Sequence, residues 1–580
     1  MIAAGSQGKF LIPFQIRITW IFLVLLVALT FLSSPRVMSQ TINLNSPNLE
    51  EYLRRQQLLG NLDSVYSFMI RPISPAVAFG KENGIDLDGT FTDFDQSKTS
   101  FSAYGGKGKL RTLPVTFRAQ YNSKVAFGIN NGSMIPNRGL QWVLSGGVFY
   151  EYDRLSIQFQ PELIIAQNKD YQGFPLEHDG STWLEYYEWL NFSDIPERFG
   201  SGRYINILPG QTSIRYNTDY ISVGLSTENL WWGPGRRNSL LMSNNASGFF
   251  HGTINTQKPI NTRIGSFEGQ LIAGKLVNSG YLPPQSDYIY RQTPLYVPKR
   301  DKDWRYLAGI TLTYQFKWVP GLTLGYSSVS QMYHNDIQSL ADYLPVFNGG
   351  KNRENILDTD VAKRNQLSSG SFRWMDHRGH FEFYGEYGSN GNSRTINDFI
   401  TNPDRNRGFT LGFLNLIPLK KQDQYIQLGG ELTQTGQTVR ETIFDKNSWY
   451  THPYVRHGYT HRGKVLGAGY GPGSNVLFLE ASWIKDFNKI GFQIERIENN
   501  NDFYYKRYED IKDWRVKYVD VVPALLAEWR VDNLLLTSKI QYAHSFNYKW
   551  YIVNIPGQYW VPGFDKNNVV AHLSVSYIFP

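Results

Sequence analysis

Between Tyr306 and Trp318 the chain reads YLAGITLTYQFKW, with apolar residues at every second position. Tyr306, Ala308, Ile310, Leu312, Tyr314, Phe316 and Trp318 share one face, and Gly309, Thr311, Thr313, Gln315 and Lys317 take the other. A repeat of two is the strand repeat; on a helix the same set would scatter around the axis. Stretches of this kind recur from about Leu110 onward and call for a sheet with two unlike faces. The 580 residues include 37 Tyr, 35 Phe and 15 Trp, yet mean hydropathy is −0.38. Polar on average but dense in aromatics is the composition of a transmembrane β-barrel, whose lipid-facing residues alternate with a wet lumen. A secreted array of β-sandwiches would share much of it.

The connections separate the two. Tight ones fall at Asp153, Val319-Pro320-Gly321, Asp376 to Gly379, Lys420 to Asp423, Lys485 to Asn488 and Val531 to Asn533. Long ones cover 123–138, 169–182, 227–247, 277–305, 331–368, 389–408, 437–474, 498–517 and 546–567. Outer-membrane barrels show this asymmetry, with short periplasmic turns and long external loops. Only 191–211 is longer than its periplasmic placement predicts. Alternating direction from a first strand at 110–122 gives 18 strands with both chain ends periplasmic. In the last strand Val569, Ala571, Leu573, Val575, Tyr577 and Phe579 alternate with His572, Ser574 and Ser576, the kind of closing segment that barrel-assembly machinery reads. Pro580 departs from that pattern, since such chains more often stop on the aromatic.

The N-terminus reads as a secretory signal over residues 1–39. Lys9 and Arg17 precede the apolar run Ile21 to Leu32, and Val37-Met38-Ser39 offers a small-residue cleavage site. Loss of Lys9, Arg17 and Arg36 takes the formal charge from +8 to +5 (8 − 3). That mild, dispersed balance fits an acidic polymer or surface, and no basic stripe suggests nucleic acid. Without cysteine there is neither a disulfide framework nor a thiolate metal site. Residues 40–109 read as a separate periplasmic segment with a short helix: Asn48 and Glu51 form a capping box, Leu49, Tyr52 and Leu53 an apolar stripe, and Gly60 the end. Residues 110–580 are the barrel.

Two motifs fall in external loops. The first, Glu228 to Ala246, is ENLWWGPGRRNSLLMSNNA. Trp231 and Trp232 precede a Gly-Pro-Gly turn, then come Arg236 and Arg237, then Asn244 and Asn245. Aromatic faces, guanidinium forks and amides on a backbone that must turn suit a hydroxylated or carboxylated ligand. The same residues also suit a packed plug. The second motif, Tyr454 to Gly467, is YVRHGYTHRGKVLG. It offers Arg456, His457, Tyr459, His461 and Arg462, with His452 just upstream. Three histidines so spaced do not converge on an extended loop, and no carboxylate sits among them, so no metal or cofactor is expected.

Both segments, in this order, resemble the signature of the Wzi family of capsule-assembly outer-membrane proteins, with similarity from about Ser46 to the C-terminus. The resemblance implies a lectin-like outer-membrane barrel that holds capsular or extracellular polysaccharide. The ligand-contacting residues expected from the motifs are Trp231, Trp232, Arg236, Arg237, Asn244, Asn245, Arg456, His457, Tyr459 and Arg462. No G-x-S-x-G elbow and no H-E-x-x-H appears, so no catalysis is expected. Glu382 and Glu386 lie two repeats apart on a strand and face the lumen together. The reading is therefore an all-β, monomeric, lipid-embedded barrel of about 18 strands. The alternative is a sugar or solute diffusion porin, which differs only in needing an open lumen.

Overall fold

The computed structural model describes residues 41–62, 65–74, 100–103, 108–343, 363–391, 400–401, 403, 406–438, 448–508, 517–551 and 564–579. The expected signal segment and Pro580 lie outside them. Eighteen antiparallel strands close one barrel. The first six are β1 (Gly108–Asn122), β2 (Gly139–Tyr152), β3 (Leu155–Phe159 with Glu162–Ala166), β4 (Tyr204–Leu208 with Ser213–Asn217), β5 (Ile221–Ser226) and β6 (His251–Thr256). Next come β7 (Gly265–Leu276), β8 (Arg305–Phe316), β9 (Leu322–Tyr333), β10 (Asn365–Asp376), β11 (Phe381–Asn390) and β12 (Arg407–Pro418). The last six are β13 (Gln424–Gln434), β14 (Asn475–Lys485), β15 (Asn488–Glu498), β16 (Val519–Val531), β17 (Leu534–Phe546) and β18 (Lys566–Tyr577). β18 pairs back onto β1, with Val570 opposite Asn122 and Tyr577 opposite Val115. Closure leaves the sheet without a free edge.

The two-residue repeat becomes two environments. In β8, Leu312 is 51% exposed on the outside, whereas Thr311 and Thr313 are 2% and 3% exposed inside. In β14, Leu477 and Leu479 face out while Phe478, Glu480, Ser482 and Ile484 face in. The outer apolar face is the lipid belt. Tight turns stand where expected, with left-handed backbone at Asp153, Asp423, Asp486 and Asp532 and at Gly321. Aspartate tolerates that conformation because its short side chain bonds the local backbone.

One stretch departs from the expected layout. Residues 183–190 are not a strand but part of α2 (Gly180–Leu190), inside an external loop that runs from β3 to β4. Its buried residues Trp183, Tyr186, Tyr187 and Leu190 repeat at helical spacing, and the Asp179 carboxylate caps it by accepting from Thr182 N–H at 2.7 Å. The 212–226 stretch, expected as one strand, instead turns at 218–220 and supplies parts of both β4 and β5. One strand lost and one gained leaves the count unchanged. The long 191–211 connection is thereby split: its first part belongs to the external loop, its second to β4.

The N-terminal helix α1 (Pro47–Leu58) lies within the barrel at the tight-turn end. Tyr52 and Leu53 pack with Phe487 and Leu535, and Leu58 packs with Met375, Leu414 and Ile484. Asn48 and Glu51 do not form the expected capping box. Ser46 is the N-cap without a side-chain cap, Asn48 donates to Thr537 Oγ1 at 2.9 Å, and Glu51 turns to basic partners in the lumen. The barrel wall offers stronger partners than the helix's own first turn. Gly60, at φ 81, follows the helix end as expected.

Candidate functional site

The first motif does not stay at the mouth. After β5 the chain runs down into the lumen, and Trp231-Trp232 forms a two-residue antiparallel ladder with Ile70-Arg71 of the N-terminal segment. The amide of Gly233 donates to Met69 O at 2.8 Å. Arg71 donates to Gly233 O at 2.9 Å and Gly235 O at 2.8 Å, and its guanidinium lies 4.5 Å over the Trp231 ring. Arg54 of α1 donates to Pro234 O at 2.7 Å. Trp232 is fully buried, with its indole N–H given to Gln270 Oε1 at 2.8 Å. Loop and N-terminal segment thus form one plug.

The Gly-Pro-Gly turn that follows builds an anion nest, three successive backbone N–H groups aimed at one point. Arg236 N, Arg237 N and Asn238 N donate to the Glu431 carboxylate at 2.8, 3.0 and 2.7 Å, and Tyr384 OH joins at 2.8 Å. The nest is filled by a side chain of β13. The Arg236 guanidinium meets Glu51 at 2.9 Å and Glu480 at 3.7 Å, and Arg237 pairs with Glu495. Glu382 and Glu386 both point inward as expected. Glu382 takes Arg54 and Arg373, while Glu386 accepts from Leu240 N at 3.0 Å.

The second motif closes over the first. Ser243 N donates to Leu466 O at 2.8 Å, Ser243 Oγ to Gly467 O at 2.6 Å, and Asn245 Nδ2 to Val465 O at 2.9 Å. Asn244 Nδ2 reaches the N-terminal segment at Asn45 Oδ1, 3.0 Å away. Tyr459 is buried, stacked on Tyr450 at 6.2 Å, with its hydroxyl 3.6 Å from Met242 Sδ. Arg456 donates to Pro298 O at 3.0 Å and Val297 O at 2.9 Å, clasping a neighbouring loop. His457 lies between Tyr333 OH at 2.9 Å and Asp301 Oδ1 at 3.3 Å. Burial, reinforced by the cations Arg305, Lys299 and Arg456, pulls its pKa down to about 2, so the ring is neutral. Arg462 stands exposed at the surface.

Of the ten expected ligand-contacting residues, six are therefore buried with protein partners or packing: Trp231, Trp232, Asn244, Asn245, His457 and Tyr459. Arg236 and Arg237 face carboxylates of the lumen, and Arg456 and Arg462 reach the outer surface. Among the described residues no cluster of His, Cys, Asp or Glu could hold a metal ion.

The family model for capsule assembly protein Wzi matches residues 137–533, which span both motifs. This chain belongs to the Wzi capsule-assembly family. Its fold is that of the solved Wzi of Escherichia coli, an outer-membrane protein of group 1 capsule assembly described as a carbohydrate-binding β-barrel. The two share 12% identity at a TM-score of 0.58, over 93% of this chain and 100% of that one. Acinetobacter baumannii OccAB2 (10% identity, TM-score 0.37, 80% of this chain and 97% of that) and a BenF-like porin of Pseudomonas fluorescens (7%, 0.36, 81% and 98%) align more loosely. No curated protein matches the sequence. Family and fold place this member in the outer membrane.

Arg54, Arg71 and Glu431 organise the site but escaped the sequence reading, and Glu51 was read only as a helix cap. Glu431 lay on the inward face of an alternating strand, which marks it as a lumen carboxylate. Arg71 had no such signal, because its partners are backbone carbonyls of a distant loop.

Proposed function

We propose that this barrel binds capsular or extracellular polysaccharide at its external loop face and holds it at the cell surface, by binding rather than by chemistry. The observation that carries this reading is the interlocking of the two family motifs, in which Ser243 and Asn245 bond to Val465, Leu466 and Gly467. Membership of the Wzi family and the fold shared with a carbohydrate-binding relative support it. Exposed Arg462, with the remaining N–H groups of Arg456, which also holds Val297 and Pro298, and of Arg300, which is also paired with Asp336, would meet hydroxyls or carboxylates of a passing polymer. Trp231, Trp232, Asn244, Asn245, His457 and Tyr459 act by holding that face in shape, and Arg236 and Arg237 by tying it to the lumen. Each contact is weak; a repeating polymer crossing many monomeric barrels is retained by avidity. A diffusion porin needs a continuous aqueous path, whereas here α1 and the first motif occupy the lumen.

The test is retention of the host's own polysaccharide by cells that carry Arg300, Arg456 and Arg462 all changed to alanine. Polymer should be shed to the medium while barrel level and heat-modifiable migration stay normal. Unchanged retention, or failure of the purified wild-type barrel to bind the polymer, would overturn the reading.

A further inference from the structure

Six exposed cations line one arc of the periplasmic rim: Arg263, Lys317, Arg378, Lys420, Lys421 and Lys485. They stand in five consecutive strand connections, from β6–β7 (257–264) through 317–321, 376–380 and 418–423 to β14–β15 (485–488). Lys258, whose ammonium lies 4.9 Å from the Tyr220 ring centre, makes seven cations. Against them stand Asp376, Asp423 and Asp486, a balance of +4 (7 − 3). The other three connections, at 153–154, 218–220 and 530–533, hold Arg154 and Arg530 against Asp153, Asp219 and Asp532, a balance of −1 (2 − 3). Positive charge is gathered on one side of the rim.

The charged groups of these six have no hydrogen-bond or ion-pair partner among the described residues. Asp376, beside Arg378, is taken up by its own turn, where it accepts from Arg378 N at 3.1 Å and Gly379 N at 3.2 Å. A merely solvated face would be polar throughout, and this one is not. Exposed Ile264 follows Arg263, exposed Trp318 and Val319 follow Lys317, and exposed Leu419 precedes Lys420. Trp318 is 63% exposed, and Trp374 and Trp529 stand open on the same side. Exposed tryptophan beside lysine and arginine marks the headgroup level, with rings at the hydrocarbon edge and cations reaching past it. Adjacent hairpin tips repeat at about 10 Å, twice the strand spacing, so neighbouring turns face the same few headgroups. We propose that this arc is a binding surface for anionic phospholipid of the periplasmic leaflet. Phosphate oxygens meet the ammonium and guanidinium groups, and acyl chains lie against the exposed tryptophans. The surface is separate from polymer binding at the external face and does not depend on it. Lipid gathered there would fix the depth at which the tight-turn end sits in the bilayer.

The test places the full-length barrel in phosphatidylcholine vesicles with spin-labelled phosphatidylglycerol or spin-labelled phosphatidylcholine. Wild type should associate with the anionic label about fivefold more strongly than with the zwitterionic one. Raising salt from about 0.05 to about 0.5 M should shrink that ratio, because the contacts are exposed. Inorganic phosphate at the concentration of the labelled lipid should leave it unchanged. With Lys317, Arg378, Lys420, Lys421 and Lys485 all changed to glutamine, the ratio should fall toward one while heat-modifiable migration stays normal. The milder pair Lys420→Gln with Lys421→Gln should lower it part of the way. Changing Lys169, Arg203 and Lys302, exposed on the external side, to glutamine should keep the wild-type ratio. No preference in wild type, a ratio indifferent to salt, displacement by phosphate, an unchanged ratio in either rim variant, or an equal loss in the external variant would each overturn the proposal.

Discussion

Arg236, in the loop that descends from the outside, and Glu51, on the helix that enters from the periplasmic side, meet at 2.9 Å inside the barrel. Lys489 Nζ at 2.7 Å and Gln427 Nε2 at 2.8 Å share the same carboxylate oxygen. One buried acid therefore ties two plug elements to the wall. Buried pairs contribute little net stability once desolvation is counted, but removing one member leaves the others uncompensated.

Glu51→Ala should therefore loosen the plug rather than merely weaken one contact. Arg236 and Lys489 would be left with Glu480 alone between them, and α1 would keep only its Arg54 bond to the loop. In planar bilayers the wild-type barrel should conduct poorly and the variant measurably better, with lower heat resistance on unboiled gels. Conductance equal to wild type would mean that the plug does not depend on this acid.

The two tryptophans should act through packing. Trp232 is enclosed and Trp231 lies beneath Arg71, so replacing either with alanine opens a cavity worth ~3–5 kcal/mol. Both variants should lower the temperature of heat modification, and Trp231→Phe should recover part of the loss. An alanine variant with unchanged melting that nevertheless sheds polysaccharide would restore a direct stacking role to that ring.

Gly233 has little room for a side chain and a backbone that side chains disfavour. Its φ is 122, and a Cβ there would stand 3.0 Å from Glu386 Oε2. Gly233→Ala should cost about 1–3 kcal/mol through backbone strain, read as a lower melting temperature with the strand content by circular dichroism intact. A melting temperature equal to wild type would show that the turn relaxes without cost.

The barrel was legible because a sheet with one face in lipid writes its period into every strand, as Tyr306 to Trp318 shows. Asp153 and Asp423 could be placed as turns from local chemistry alone. Trp183, Tyr186, Tyr187 and Leu190 also carried helical spacing, but a run so rich in aromatics equally suits a strand, and the barrel pattern absorbed it. The site was less legible. Aromatics, guanidiniums and amides are the groups that grip sugar, and also those that satisfy a crowded lumen. Which use prevails depends on partners far along the chain, such as Arg71 beneath Trp231 and Glu431 under the Gly-Pro-Gly turn. Neither pairing leaves a trace in either motif.

Acid should open the external face before it unfolds the barrel. His457 is held down to about 2 chiefly by burial and then by neighbouring cations, and burial takes His452 down to about 4, both from an ordinary 6.5. Once the loop is released, each ring regains a pKa near 6.5. Below that pH the open state binds protons that the closed state refuses, so closed-loop stability falls as pH falls. Above it the rings are neutral in both states and the contribution is complete. Each such group can add up to about 1.4 kcal/mol per pH unit. External loops should therefore be cut faster by an added protease at pH 5 than at pH 7.5, after correction for the protease's own pH profile. His457→Gln, which keeps a polar group but cannot titrate, should flatten that dependence while leaving the rate at pH 7.5 nearly unchanged. Equal slopes in wild type and variant would remove His457 from the account and leave the remaining buried histidines to explain any acid sensitivity.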